Sequence, residues 1–190
     1  MDARGGYGTT VVILHWLIAI AIGVLIGTGW YMVDLEKGTP PVARFYNFHK
    51  SIGLIVLVLV ALLISARLRD RPGPLPGTVP AWEVRAAEWS HRIFYVLLVL
   101  VPLSGYIESN FAKWGIRFFG LHLPSWLPEN PTLYAVFNRI HVYSANLFAA
   151  LIGLHIVAAL AHALRRDGVM SRILPRRSRV RGAGGDSGIG

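Results

Sequence analysis

Four apolar runs, each long enough to cross a lipid bilayer, constrain this chain more than any other feature. A membrane-spanning helix needs about 20 mostly apolar residues. The first run, residues 11–33, contains no Asp, Glu, Lys or Arg. The second, about 45–66, has Lys50 near its start. The third, about 88–107, includes Pro102, which predicts a kink. The fourth, 140–164, is again free of formal charge. These runs are apolar all round rather than along one stripe, which separates them from helical hairpins buried in a soluble protein. A secretory signal peptide fits the first run poorly, because the run is too long and no small-x-small cleavage site follows it. Composition agrees: only 15% of the 190 residues are charged, against about a quarter in soluble domains. The expected fold is all-α, a four-transmembrane-helix bundle over residues 1–175, with a basic and then Gly-rich flexible tail over 176–190.

The links differ in kind. Residues 34–44 form a short loop. The connector 67–82 is rich in Pro, Gly and Arg (RLRDRPGPLPGTVP) and cannot be helical throughout. The longest link, 110–138, carries Trp114, Phe118, Phe119 and Trp126 with Pro124, Pro128 and Pro131. Aromatic residues near span ends suit the headgroup level, so this link is expected to lie against the membrane surface.

The net charge of +9 follows the same topology. An even number of spans puts both termini on one side. That side holds Arg4, Arg67, Arg69, Arg71, Arg85, Arg92 and seven arginines from Arg165 to Arg181, thirteen cations against six carboxylates. The other side holds Lys37, Arg44, Lys50, Lys113, Arg117 and Arg139 against four carboxylates. The positive-inside rule then makes both termini cytoplasmic. The basic tail is expected to meet anionic lipid. Nucleic-acid binding is not expected, since it calls for a basic face on a soluble module. Cysteine is absent, which excludes disulfides, thiolate metal sites and covalent haem attachment through CxxCH.

Ionisable side chains inside a span are costly and usually partnered. His141 and His155 lie 14 residues apart on the fourth span, close to four turns, so both face one way about 21 Å apart along the axis. The alternating direction of the spans puts His15 in the inner half with His155, and His49 near the outer boundary with His141. Two histidines from two helices at matched depth suit bis-imidazole ligation of an iron, and two such layers suit two b-type haems. Zinc fits less well, because each layer supplies only two nitrogens. A proton relay stays open, although no Asp or Glu lies in the middle of a span. Gly23, Gly27, Gly53 and Gly153 leave room for a flat macrocycle, although close helix packing is the commoner reason for such residues. Cations and hydroxyls for haem propionates or for steering a substrate are Arg44, Lys50, Arg139 and Tyr143 outside, and Arg67, Arg69, Arg92 and Arg165 inside. His162, two turns beyond His155, is a candidate contact for a quinone or the inner haem. His91 reads as an interfacial residue, and His122 is assigned nothing.

The segments LHWLIAIAIGVLIGTGWYM (14–32), FHKSIGLIVLVLVALLISARL (48–68), VLVPLSGYIES (99–109), FFGLHLPSWL (118–127), RIHVYSANLFAALIGLHIVAALAH (139–162) and RDGVMSRILP (166–175) together resemble the prokaryotic cytochrome b-561 family over almost the whole chain. The resemblance implies a four-helix membrane bundle with two non-covalent b haems, ligated from helices one, two and four. By motif the ligands are His15, His49, His141 and His155, the pairs His15 and His155 holding the inner iron and His49 and His141 the outer one. The family's Lys-His-His group after the last ligand reads Ala161, His162, Ala163 here, and Val142 stands where Glu usually follows the first fourth-helix ligand.

The implied activity is electron transfer in the bacterial inner membrane between a periplasmic donor and ubiquinone or menaquinone, with superoxide as the donor in at least one member. The alternative is a membrane electron-carrier subunit anchoring a dehydrogenase such as a hydrogenase or formate dehydrogenase, for which the aromatic loop 111–128 would be the docking patch. A haem-free proton-coupled transporter is the third class and predicts no Soret band. A homodimer is compatible with all three.

Overall fold

A computed structural model describes residues 7–36, 38–69, 79–113, 115–170 and 173. The tail 176–190, most of the arginine-rich connector, and Arg4, Lys37, Arg71 and Trp114 lie outside the described residues.

The chain folds into four helices, α1 (Thr9–Val33), α2 (Pro40–Arg69), α3 (Ala81–Phe111) and α4 (Pro131–Arg165). All four are long and apolar enough to cross a membrane, where a helix satisfies its own backbone groups with no help from water. They outrun the apolar stretches that announce them. At 35 residues, α4 spans about 52 Å, against a hydrocarbon core of about 30 Å. Its start has a clear local cause: Asn130 caps it by accepting from Thr132 and Leu133 N–H, and Pro131 occupies the first turn. Residues 131–138, expected as loop from hydropathy, are therefore helix. Helix α3 continues through Pro102 to Phe111. Helix α4 ends where Arg166 turns left-handed at φ 54° and donates its N–H to Ala163 O.

One element departs from the all-α expectation. Strands β1 (Ile116–Phe118) and β2 (Leu121–Leu123) form an antiparallel hairpin in the long link. Phe119 and Gly120 both take positive φ, 47° and 96°, as a two-residue hairpin turn requires. Helix α2 holds this strained turn in place. The buried Ser51 hydroxyl accepts Phe119 N–H at 2.8 Å and donates to Asn47 O at 2.7 Å.

Helix α1 packs on α2, α2 on α3 and α3 on α4, whereas no comparable packing joins α4 to α1 or α2. The apolar core consists of Val11, Leu14 and Ile18 from α1, Val56, Val60 and Leu63 from α2, Leu97 and Leu98 from α3, and Phe148 alone from α4. An open seam thus separates α4 from α1, crossed by a hydrogen bond from Trp30 Nε1 to Asn146 Oδ1 at 3.1 Å.

Candidate functional site

At the loop end of the bundle, α2 and α4 bring His49 and His141 together. Their ring centroids are 6.2 Å apart and their planes cross at 87°. Each ring is fixed through Nδ1 by a third helix. His141 Nδ1 donates to Val101 O of α3 at 2.9 Å. His49 Nδ1 donates to Thr28 Oγ1 of α1 at 3.2 Å, because the hydroxyl's own proton goes to Val24 O and Leu25 O. Both rings therefore carry the proton on Nδ1 and leave Nε2 as a lone-pair donor, the tautomer a metal-binding imidazole needs.

Metal–imidazole bonds of about 2.0–2.1 Å put the centroids of two coaxial imidazoles about 6 Å apart. The observed separation fits one metal atom between the rings. Two glycines make the arrangement sterically possible. A Cβ on Gly105 would stand 2.9 Å from His141 Nδ1, and one on Gly29 would stand 3.3 Å from His49 Cε1. By contrast, a Cβ on Gly23, Gly27, Gly53 or Gly153 would meet nothing within 4 Å, so these four do not serve helix packing within the chain. The space they leave suits a flat group.

Toward the terminal end, His15 and His155 lie within electrostatic reach of each other across the α1–α4 seam. His155 leans edge-on against Phe94, centroids 5.2 Å apart. Among the described residues, no hydrogen bond occupies the ring nitrogens of His15 or His155.

The remaining sequence candidates divide by exposure. Arg44, Arg139 and Tyr143 are exposed at the loop end. Lys50 is half-buried, with Nζ 3.4 Å from Gly115 O beneath the hairpin and within reach of Glu108. Arg67 donates from Nε to Tyr95 OH at 2.5 Å and lies 4.2 Å over the Tyr7 ring. His162 is clasped by carboxylates: Nδ1 is 2.5 Å from Asp167 and Nε2 is 3.9 Å from Glu83, which also binds Arg165 at 2.8 Å. Outside the bundle, the His162 imidazole holds the Asp167 carboxyl below its ordinary range.

A match to the family model for prokaryotic cytochrome b561 runs over residues 6–176. The chain belongs to this family. The cytochrome is 29% identical over 178 residues to "Cytochrome b561 homolog 1" of Escherichia coli (strain K12), covering 90% of this chain and 98% of that one. It is 29% identical over 175 residues to "Cytochrome b561 homolog 2" of the same organism, covering 90% and 93%. To "Probable superoxide oxidase CybB" of Yersinia pestis it is 27% identical over 174 residues, covering 86% and 93%. Membership implies a b-type haem and an electron-transfer role in a membrane.

Several residues of the cytochrome's site escaped the sequence reading. Thr28, Val101, Gly29 and Gly105 touch the loop-end histidines His49 and His141 from neighbouring helices, and no single-helix pattern marks them. Glu108, one turn beyond Gly105, accepts Asn138 Nδ2 at 3.0 Å and so brings a carboxylate from α3 toward the loop-end pair, within reach of Lys50. His91, read as interfacial, lines an open cleft with Arg67 at the terminal end and lies within electrostatic reach of His15 and His155. Its signal was available: Glu88, His91, Arg92 and Tyr95 recur at the three- and four-residue spacing of one helix face.

Proposed function

We propose that this cytochrome is a di-haem electron carrier of the bacterial inner membrane, with cytoplasmic termini, which takes electrons from a periplasmic donor, superoxide foremost, and delivers them to the quinone pool. The observation that carries the proposal is the His49–His141 pair, two imidazoles at single-metal separation with both Nδ1 atoms committed elsewhere. His15 and His155 supply the second layer. The likeness to a relative named as a superoxide oxidase supports the choice of donor.

When bound, the haems supply one-electron chemistry, and the protein sets their spacing, access and potential. The chain's own contribution begins with charge. Arg44 and Arg139 are exposed at the loop end, and Arg117, exposed on the hairpin, pairs through Nε with His122 Nε2 at 3.2 Å. An anion approaching this end is attracted by these cations, whereas Lys50 is already tied beneath the hairpin. Oxidation of superoxide to dioxygen requires no proton. Reduction of one quinone takes two electrons, hence two superoxide ions, together with two protons.

A pyridine haemochrome assay on the purified protein should give two protohaems per chain. A value of zero or one removes the di-haem reading. A superoxide pulse should reduce the bound haem at a rate that falls as salt rises. Haem that stays oxidised under the pulse rejects this donor and moves the protein to the class of dehydrogenase membrane subunits.

A further inference from the structure

The two histidine layers are held in different ways. At the loop end, hydrogen bonds through Nδ1 fix both rings. At the terminal end, each ring meets an aromatic neighbour edge-on. His155 leans on Phe94, which packs in turn on Phe148 with centroids 5.8 Å apart. His15 meets the indole of Trp16, with centroids 5.5 Å apart and planes crossed at 86°. We propose that Trp16 is a positioning residue for His15, held in that role by the chain that follows α4. This role rests on the reading that His15 and His155 carry the second haem.

The contact between His15 and Trp16 calls for an outside hold. Successive residues on a helix diverge by about 100° and do not face each other, so a free indole has no reason to stand against the ring before it. Trp16 is 39% exposed, which leaves packing alone too weak to choose its rotamer. A hydrogen bond chooses it: Trp16 Nε1 donates to Ile173 O at 3.0 Å. A tryptophan acting only as a headgroup-level anchor would keep this donor for water or lipid. Here it is committed to a backbone carbonyl of the same chain.

That carbonyl is placed by a series of contacts. Helix α4 ends at the left-handed Arg166, and Asp167 ties the turn that follows. Its Oδ1 accepts Val169 N–H at 3.1 Å, and its Oδ2 lies 2.5 Å from His162 Nδ1, back on α4. Gly168 takes φ 86° between them, and Ile173 N–H donates to Met170 O at 3.2 Å. Glu83, on the other side of His162, binds Arg165 and so fixes this end of α4 to the start of α3. The chain beyond α4 is thus a strap to α1, across the seam that helix packing leaves open. Contacts that begin at Glu83 end beside His15.

The test is electron paramagnetic resonance of the oxidised, haem-loaded, full-length protein at neutral pH. In a low-spin ferric haem with two imidazole ligands, the g values depend on the angle between the ring planes, so each layer's signal reports ring orientation. Trp16→Phe keeps an aromatic edge and removes the Nε1 donor. Asp167→Ala removes the strap's bonds to His162 and Val169, outside the bundle. Both variants should shift the same one of the two signals and leave the other in place. Trp30→Phe, which removes a hydrogen bond across the seam toward the loop end, should leave that signal unmoved. Loss of that one haem from Trp16→Phe, with the other retained, supports the proposal equally. If Trp16→Phe fails to fold, Asp167→Ala decides alone. Unmoved signals in either folded variant overturn the proposal, because the strap then does not act on His15. A shift of both signals, or the same shift in Trp30→Phe, reports general loosening and also overturns it. A wild type with fewer than two haems removes the di-haem reading, and the role of Trp16 with it.

Discussion

His49 and His141 face each other with centroids 6.2 Å apart, and each gives its Nδ1 proton to a helix other than the one carrying its partner. Helix α1 receives one through Thr28, and α3 receives the other through Val101. All four helices thus take part in setting one pair of rings, although only two of them supply the rings.

Replacing Gly105 by Ala should disrupt this layer. The new Cβ would stand 2.9 Å from His141 Nδ1, against a ring held by its hydrogen bond to Val101 O, an overpacking that costs about 1–3 kcal/mol. The expected result is loss or spectral change of one haem with the other retained. Gly29→Ala, at 3.3 Å from His49 Cε1, should have a smaller effect, and Gly23→Ala should have none on the ligand rings. Optical spectra of the three purified variants decide the order, and equal spectra would reject a steric role for Gly105.

Thr28→Val removes the acceptor for His49 Nδ1–H while keeping the side chain's shape. An imidazole that donates through Nδ1 is the more basic ligand and favours the higher oxidation state of the metal. Redox titration should therefore show one midpoint potential raised in this variant and the other unmoved. Two unmoved potentials would mean that Thr28 does not act on a metal ligand.

Asp167 and His162 predict a pH dependence at the terminal end. The folded-state pKa of Asp167 is depressed by its hydrogen bond to His162. Its contribution to stability is therefore fully present above its unfolded value of about 4 and is lost as pH falls through the folded value. Asp167→Asn should lower the melting temperature at neutral pH, and the difference from wild type should vanish well below pH 4. A difference that stays constant across that range would separate the effect from this ionisation.

Ser51→Ala should loosen the hairpin, because Phe119 N–H would lose its acceptor inside the protein. A hydrogen bond of this partly buried kind contributes about 0.5–1.5 kcal/mol. Faster proteolysis at the Phe119–Gly120 turn, with haem content unchanged, is the expected result.

Much of the frame was legible from residues alone. Hydropathy located four spans, because lipid makes apolar side chains and closed backbone hydrogen bonds compulsory over a fixed length. Periodicity singled out His141 and His155 as residues of one face, and the alternation of spans assigned depths to His15 and His49. Helix ends were less visible: α4 begins at Pro131, capped by Asn130, while hydropathy places its start about two and a half turns later. The hairpin gave no pattern at all. Its strands are three residues each, too short for alternation to register, and its turn uses Phe119 where Asn or Asp would have announced it.

Sequence by itself determined that this chain makes four long apolar helices, that one end of the bundle carries most of the cations, and that four histidines recur at two depths. These are properties of single helices, set by hydropathy and by 3.6 residues per turn. Only the tertiary structure decided how each helix is rotated toward its neighbours. That rotation turned His49 toward Thr28, His141 toward Val101 and Gly105, and His91 toward an open cleft with Arg67. A helix apolar on every side offers no stripe to say which face meets which neighbour, so contacts between helices follow from packing.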